Sequence, residues 1–332
     1  MTQARRVLVT GAAGFIGSHV AEHCQKLGLS VTATDDLSGG FREFVPEGVE
    51  FLEGDLRDPE FTRSLWRGRD FEVVYHLAAY AAEGLSHFIR RYNYQTNLIA
   101  SVNLLNQAIE HETRCFVFTS SIAVYGAAQT PMTEATEPRP EDPYGISKYA
   151  FELDLRAAHE MFGIEYVIFR PHNVYGERQN ISDRYRNVVG IFMNQVLKGE
   201  PMTIFGDGQQ TRAFSYVDDV APVLARAPFT KRAENQLFNI GSGTAHTVLE
   251  LAHEVARNFG VAPHVQHLEA RKEVIHAVSD HSRLREVFAP PTPIPLSEGL
   301  RRMALWVMVR GPGRPVSFSN IELLKNLPPS WR

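Results

Sequence analysis

The 332-residue chain has only two cysteines, Cys24 and Cys115. That is too few for a disulfide framework, and their places in a helical stretch and a strand-like run read as buried free thiols of a reducing compartment. No apolar run reaches the roughly 18 residues that a membrane-spanning helix needs, and the first residues lack the apolar core of a signal peptide, so a cytoplasmic location is expected. No basic run occurs and the formal net charge is −4, which argues against a partner with a nucleic-acid backbone. Repeats and low-complexity tracts are absent. The one proline-dense run, 290–295, reads as a stiff connector before a helix from Leu296 to Val309, and the last twenty residues read as an extended tail. His19 and His23 are spaced i, i+4 beside Cys24, but no further ligand cluster accompanies them, so no metal is expected. With 44% hydrophobic and 22% charged residues, the composition is that of an ordinary globular chain, long enough for one large domain or two lobes.

What is present is an alternation of short apolar runs with helical stretches. Strands are expected at 5–10, 30–34, 49–52, 73–77 and 115–119, which predicts an α/β fold with a doubly wound parallel sheet whose strand ends gather at one edge. The first strand runs into Gly11-Ala12-Ala13-Gly14-Phe15-Ile16-Gly17, followed by a helix expected over 18–27. Glycines there allow a tight turn and let backbone approach a pyrophosphate at a helix N-terminus. The second strand ends in Asp35-Asp36, acids suited to ribose hydroxyls and repulsive to a 2′-phosphate, which favours NAD over NADP. Asp55 follows the third strand, and the small Ala78 and Ala79 follow the fourth.

Tyr144 and Lys148 are spaced i, i+4 on a predicted helix, so phenol and ammonium share a face, and Ser121 lies upstream at the end of the fifth strand. An ammonium near a phenol favours the phenolate and lowers the tyrosine pKa, making an acid/base for an alcohol proton while a hydride leaves the same carbon. A serine hydroxyl can steady the same oxygen.

These residues resemble the extended short-chain dehydrogenase/reductases, in the NAD-dependent nucleotide-sugar epimerase/dehydratase branch that includes UDP-glucose 4-epimerase-like enzymes. The strings that carry the resemblance are G-A-A-G-F-I-G at 11–17, T-S-S-I-A-V-Y-G at 119–126, P-Y-G-I-S-K at 143–148, R-P-H-N-V-Y-G at 170–176, F-G-D-G-Q-Q-T-R at 205–212 and Y-V-D-D-V at 216–220. It spans nearly the whole chain. It implies a Rossmann domain over 1–172 with a later return at about 215–239, and a smaller nucleotide-sugar lobe from 173–214 and 240–332. It also implies tightly bound NAD, held by Gly11, Gly14, Phe15, Ile16, Gly17, Asp35, Asp36, Asp55, Leu56, Leu77, Ala78, Ala79, Asn97, Tyr144 and Lys148. For a UDP-sugar it implies Glu83, Ser120, Ser121, Asn173, Val188, Phe205, Arg212, Arg271 and Asp280, the arginines offering planar forks to a diphosphate and Phe205 an aromatic face to the uracil. Paired helices near Gln95–His111 and Gly145–Phe162 imply a homodimer.

The loop after the fifth strand narrows the reaction. Sugar 4,6-dehydratases resemble S-T-D-E-V-Y-G there, whereas this chain has Ile122 and Ala123, which carry no protons. Ser121, Tyr144 and Lys148 remain, the set that 4-epimerisation of UDP-glucose/galactose or UDP-GlcNAc/GalNAc requires. Ala277 aligns where relatives restrict the space beside the C2 substituent, so an acetamido group is expected to fit. The best-known galactose epimerases carry lysine at the place of Ala81, and Glu83 is an added carboxylate. A 5,6-elimination through Glu83, or a UDP-glucuronate 4-epimerase or decarboxylase using Arg184 or Arg186, therefore stays open, as do a net oxidoreductase and a non-catalytic NAD binder.

Overall fold

The computed structural model describes residues 5–270, 276–312, 318 and 321–331. The first strand, β1 (Arg6–Thr10), turns through the glycine loop into α1 (Phe15–Lys26), followed by β2 (Ser30–Asp35), β3 (Glu50–Glu53), α2 (Pro59–Ser64) and β4 (Val73–His76). Next come α3 (Glu83–Ser86), α4 (Arg90–Tyr94), a π turn at Gln95–Ile99, α5 (Ala100–Glu110), β5 (Cys115–Thr119), α6 (Pro143–Phe162) and β6 (Glu165–Pro171). The chain then leaves the sheet for β7 (Val174–Tyr175), α7 (Val188–Leu197), β8 (Met202–Phe205), β9 (Thr211–Ala213) and β10 (Ser215–Tyr216). It returns with α8 (Val217–Arg226) and β11 (Gln236–Ile240), and finishes with β12 (Ala245–Thr247), α9 (Val248–Asn258), β13 (Val265–Leu268), β14 (His276–Ala277), α10 (Ser282–Phe288) and α11 (Leu296–Arg310).

Seven of these strands form one sheet in the order β11-β6-β5-β4-β1-β2-β3, with every neighbouring pair parallel. Apolar side chains alternate between its faces. Val7, Val9, Tyr75, Val117 and Phe169 pack with Val20 of α1 and Val220 of α8 on one side. Leu8, Val74, Phe116, Phe118 and Ile168 pack with Leu104 of α5 and Phe151 of α6 on the other. Burial on both faces is why the strands read as continuous apolar runs rather than as alternation. The order reverses between β1 and β4, so a crevice opens at the carboxyl ends of those strands. A second lobe faces it, built on the β8–β13 pair and the β12-β9-β14 sheet.

Local chemistry sets several element ends away from their sequence-based expectations. Helix α1 starts at Phe15 rather than Ser18, because Gly14, extended at φ −83° and ψ 179°, already serves as its N-cap. Helix α6 starts at Pro143 rather than Gly145: the Asp142 carboxylate accepts from the Gly145 N–H at 2.9 Å, and Pro143 takes the first position, where its missing N–H costs nothing. Tyr144 is thereby fixed in the first turn. The expected helix over Gln95–His111 is a π turn followed by α5. In the return to the large sheet, β11 provides the strand, whereas β10 pairs with β7. The described residues 321–331 are not an extended tail: Leu327 and Trp331 are buried against Tyr80, Leu85 and Tyr185.

Candidate active site

One cleft of about 1310 Å³ runs between the carboxyl edge of the sheet and the second lobe. Single small-molecule pockets span about 300–1,000 Å³, so this cleft has room for two ligands side by side. Its cofactor end is walled by bare backbone. A Cβ on Gly11, which sits at φ +68°, would lie 2.7 Å from the Ala78 nitrogen, and one on Gly17 would lie 2.0 Å from the Gly11 carbonyl oxygen. Only glycine lets the β1–α1 turn and the β4 end come this close. Gly14, Phe15, Ile16, Leu77 and Ala79 line the same wall. Asp35 accepts from the Ala13 N–H (3.0 Å) and the Leu37 N–H (2.8 Å), and burial pushes its carboxyl upward. Each oxygen keeps a lone pair for a further donor. Asp36 accepts from the N–H and hydroxyl of Ser38 (2.9 and 2.6 Å). Asp55 and Leu56 line the cleft beside them, Asp55 paired with Arg57 at 2.6 Å. A glycine cradle at a helix N-terminus, with carboxylates at the neighbouring strand end, fits a dinucleotide with free ribose hydroxyls.

A lock that sequence reading did not identify holds this wall. Thr10 Oγ1 accepts from the N–H groups of Leu77 and Ala78 (3.2 Å each) and bonds His76 Nδ1 at 2.8 Å, while His76 Nε2 meets Ser101 Oγ at 2.7 Å. Asn97, expected at the cofactor, stands beside this scaffolding and off the cleft wall. It is fully buried, its Oδ1 accepts from the Tyr80 N–H (2.8 Å), and its Nδ2 donates to the Tyr80 carbonyl (3.1 Å) and Asn93 Oδ1 (2.8 Å). It clamps the loop after β4 from behind, off the cleft wall. A polar residue in a helix looks the same in sequence whether it faces a ligand or a backbone loop.

Ser121, Tyr144 and Lys148 line the same cleft. Ser121 Oγ accepts from the Ala123 N–H at 3.1 Å and is hydrogen-bonded to the Tyr144 phenol. Lys148 is buried, with Nζ donating to the Thr119 carbonyl at 2.9 Å and lying 4.8 Å from the Phe118 ring centre. Burial lowers Lys148 to about 7, against the pull of the Glu152 carboxylate. Burial pushes the Tyr144 phenol above its ordinary range, and the charge of Glu83 adds to this. The expected depression of Tyr144 by Lys148 is therefore reversed by the protein alone: Nζ sits 5.9 Å from the phenol ring centre and is spent on a carbonyl, so desolvation wins.

Behind these groups lies a buried ion pair. Glu152 and Arg170 are 0% and 2% exposed, and Glu152 Oε1 accepts from Arg170 Nε (2.9 Å) while Oε2 accepts from Nη2. Glu152 also accepts from the hydroxyl of Ser120, which lines the cleft. The pair stands one helical turn past Lys148, hidden from sequence reading because its Arg170 half comes from β6.

Toward the second lobe the wall includes Asn173, Val188, Phe205 and Arg212. Asn173 Nδ2 and Arg212 Nη1 donate to the carbonyls of Ala213 (3.3 Å) and Thr211 (2.9 Å). Ala277 is buried in the wall, but Asp280 lies off it. The Asp280 carboxylate accepts from the N–H and hydroxyl of Ser282 (2.9 Å each) at the start of α10. Arg271 falls outside the described residues. Glu83 lines the cleft at the start of α3, and Ile122 and Ala123 line it beside Ser121. Among the described residues no helix is long and apolar enough to cross a membrane, and no cluster suits a metal ion. Cys24 and Cys115 are buried free thiols, and burial pushes both up to about 12.

Residues 7–241 match the NAD dependent epimerase/dehydratase family. A putative UDP-glucose 4-epimerase of Methanocaldococcus jannaschii is 33% identical over 303 residues, covering 91% of this chain and 98% of that one. The Thermus thermophilus UDP-glucose 4-epimerase in complex with NAD is 36% identical with a TM-score of 0.85, over 91% of this chain and 99% of that one. The Thermotoga maritima UDP-glucose 4-epimerase with UDP-glucose is 33% identical with a TM-score of 0.86, over 92% of this chain and 99% of that one.

Proposed function

The chain belongs to the NAD dependent epimerase/dehydratase family, with NAD as its cofactor, and on that premise we propose that it interconverts UDP-hexoses by inverting C4 through a transient 4-keto sugar. One observation carries the reading: Ser121 and Tyr144, with Lys148 behind them, meet in the cleft while their neighbours in its wall are Ile122 and Ala123. The groups for alcohol oxidation are together, and the loop that would supply the extra acid and base of a 4,6-dehydratase carries hydrocarbon.

Tyr144 takes the proton of the C4 hydroxyl, and Ser121 holds the same oxygen. A bound NAD would supply the acceptor and donor for the C4 hydride, and its oxidised ring would add positive charge that favours the Tyr144 phenolate. Lys148, held on the Thr119 carbonyl with Nζ 5.9 Å from the Tyr144 ring centre, adds a positive field that favours the phenolate whenever it is protonated. Arg212, Asn173 and Phe205 hold the nucleotide diphosphate while the sugar turns to present its other face. Tyr144 then returns the proton to the C4 oxygen.

Ala277 leaves room beside C2, so UDP-N-acetylhexosamines join UDP-hexoses as substrates. A uronate has less support: Arg186 is paired with Asp183 at 2.9 Å, and Arg184 is exposed, donating to the Tyr185 hydroxyl at 2.9 Å. A second reading, elimination across C5–C6, has one observation in its favour, the Glu83 carboxylate in the cleft within electrostatic reach of Tyr144. The exposed apolar side chains Ile99, Ile146 and Leu153 on the α5–α6 face favour a homodimer, which size-exclusion chromatography with light scattering tests directly.

Proton NMR of the protein incubated separately with UDP-glucose, UDP-GlcNAc and UDP-glucuronate tests the reading. A new anomeric signal from the C4 epimer, reaching one ratio from either side, is expected for the first two. An alkene or a persistent ketone would replace epimerisation by elimination through Glu83.

A further inference from the structure

Residues 321–331 close over the cleft. Glu322 anchors this segment: its carboxylate accepts from the N–H groups of Arg91 and Tyr92 (2.9 Å each), and the N–H groups of Glu322 and Leu323 donate to the Phe88 carbonyl (2.8 and 3.2 Å). Phe318, Ile321 and Leu327 pack into an apolar cluster with Tyr80, Leu85 and Tyr185. Trp331 completes it at 6% exposure, edge-on to Tyr185 (5.5 Å between ring centres) and Phe88 (6.1 Å). A Cβ on Gly84 would lie 3.0 Å from the Trp331 ring, so the residue after Glu83 is pressed against the indole. Leu323, Lys325, Asn326 and Trp331 face the cleft.

The wall this segment forms stands beside Glu83, whose charge reaches Tyr144, which places it at the sugar end rather than the nucleotide end.

We propose that Trp331, held in place by the 321–331 segment, is a specificity-determining residue that walls the hexose subsite. The proposal rests on the UDP-sugar reading above. An indole wall contributes flat apolar surface against a sugar face and excludes water from the reacting carbon. It leaves the uridine and diphosphate contacts, made by the second lobe, untouched.

The experiment is titration calorimetry of the NAD-loaded protein with UDP and with UDP-GlcNAc, comparing Trp331→Ala, Trp331→Phe and a chain ending at residue 320, each with its NAD content and melting temperature recorded. The expected result is a tenfold or greater weakening of UDP-GlcNAc binding in Trp331→Ala and the shortened chain, UDP binding within twofold of the parent, and partial recovery in Trp331→Phe. Equal weakening for UDP and UDP-GlcNAc, or no change for either, would overturn the proposal. A parent protein that binds neither compound would instead overturn the sugar-nucleotide reading, and the proposal with it.

Discussion

Replacing one member of the Glu152–Arg170 pair is the sharpest test of the physics behind the site. Both side chains are essentially out of solvent, and the carboxylate serves three donors, two on Arg170 and the hydroxyl of Ser120. Glu152→Leu leaves a buried guanidinium without its counter-charge, and Arg170→Met leaves a buried carboxylate. Breaking such a pair costs about 3–5 kcal/mol, a large part of the roughly 5–15 kcal/mol that holds a domain folded. Removing both partners removes both stranded charges, so the double variant should lose less than either single one. What remains is the Ser120 hydroxyl without its acceptor, about 1–3 kcal/mol. Urea unfolding of the four proteins at saturating NAD, followed by circular dichroism, gives the coupling energy from the thermodynamic cycle. Single variants that each lose under about 1 kcal/mol, or a double variant whose loss equals the sum of the two, would refute the argument.

Tyr144→Phe keeps the ring and removes the acid/base, so turnover should fall by about 10²–10⁴ while UDP binding is unchanged; turnover within tenfold of the parent would remove Tyr144 from the chemistry. Gly11→Ala forces a side chain into a left-handed turn at φ +68° and against the Ala78 nitrogen. It should cost at least about 1–2 kcal/mol in urea unfolding and lower the NAD content of the purified protein; parental values of both would show that the turn tolerates a Cβ. Burial holds His19 and His172 at about 4 and His76 and His281 at about 3, below the ordinary 6.5. The unfolded chain therefore binds more protons than the folded one below pH 6.5, so their contribution is present above that pH and is lost as pH falls toward about 4. Unfolding near pH 5 should take up several protons through these four groups, each worth about 1.4 kcal/mol per pH unit, and an uptake below one proton would contradict their burial.

The parts of the fold legible in sequence are those fixed by near neighbours. Runs such as Val7-Leu8-Val9 announce a strand buried on both faces, and the glycines at 11, 14 and 17 announce a turn that no other residue fits. Tyr144 and Lys148 are legible as a pair because one helix face brings them together. Their protonation is not, because it depends on burial supplied by β5 and α3. Asn97 and Asp280 lie off the cleft wall for a common reason: short polar side chains serve backbone as readily as ligands, and which they serve is decided by a distant loop or an adjacent helix end. Residues 321–331 carry no periodic pattern, so their fold-back depends wholly on partners such as Tyr80 and Tyr185, far away in the chain.

The placement of β11 has a consequence for how the protein is made. Strand β6 is buried along its length, with its outer edge covered by Leu237 and Phe238 opposite Ile168 and Phe169. A nascent chain completes β6 at Pro171, spends β7 to β10 away from the large sheet and lays α8 against the sheet's face before Gln236 emerges. At about 5–20 residues per second, the growing sheet carries an open, apolar edge for several seconds. Such an edge invites pairing with any other extended chain. The first lobe thus cannot finish folding on the ribosome until much of the second has been translated, and a fragment cut between them would expose the same edge permanently.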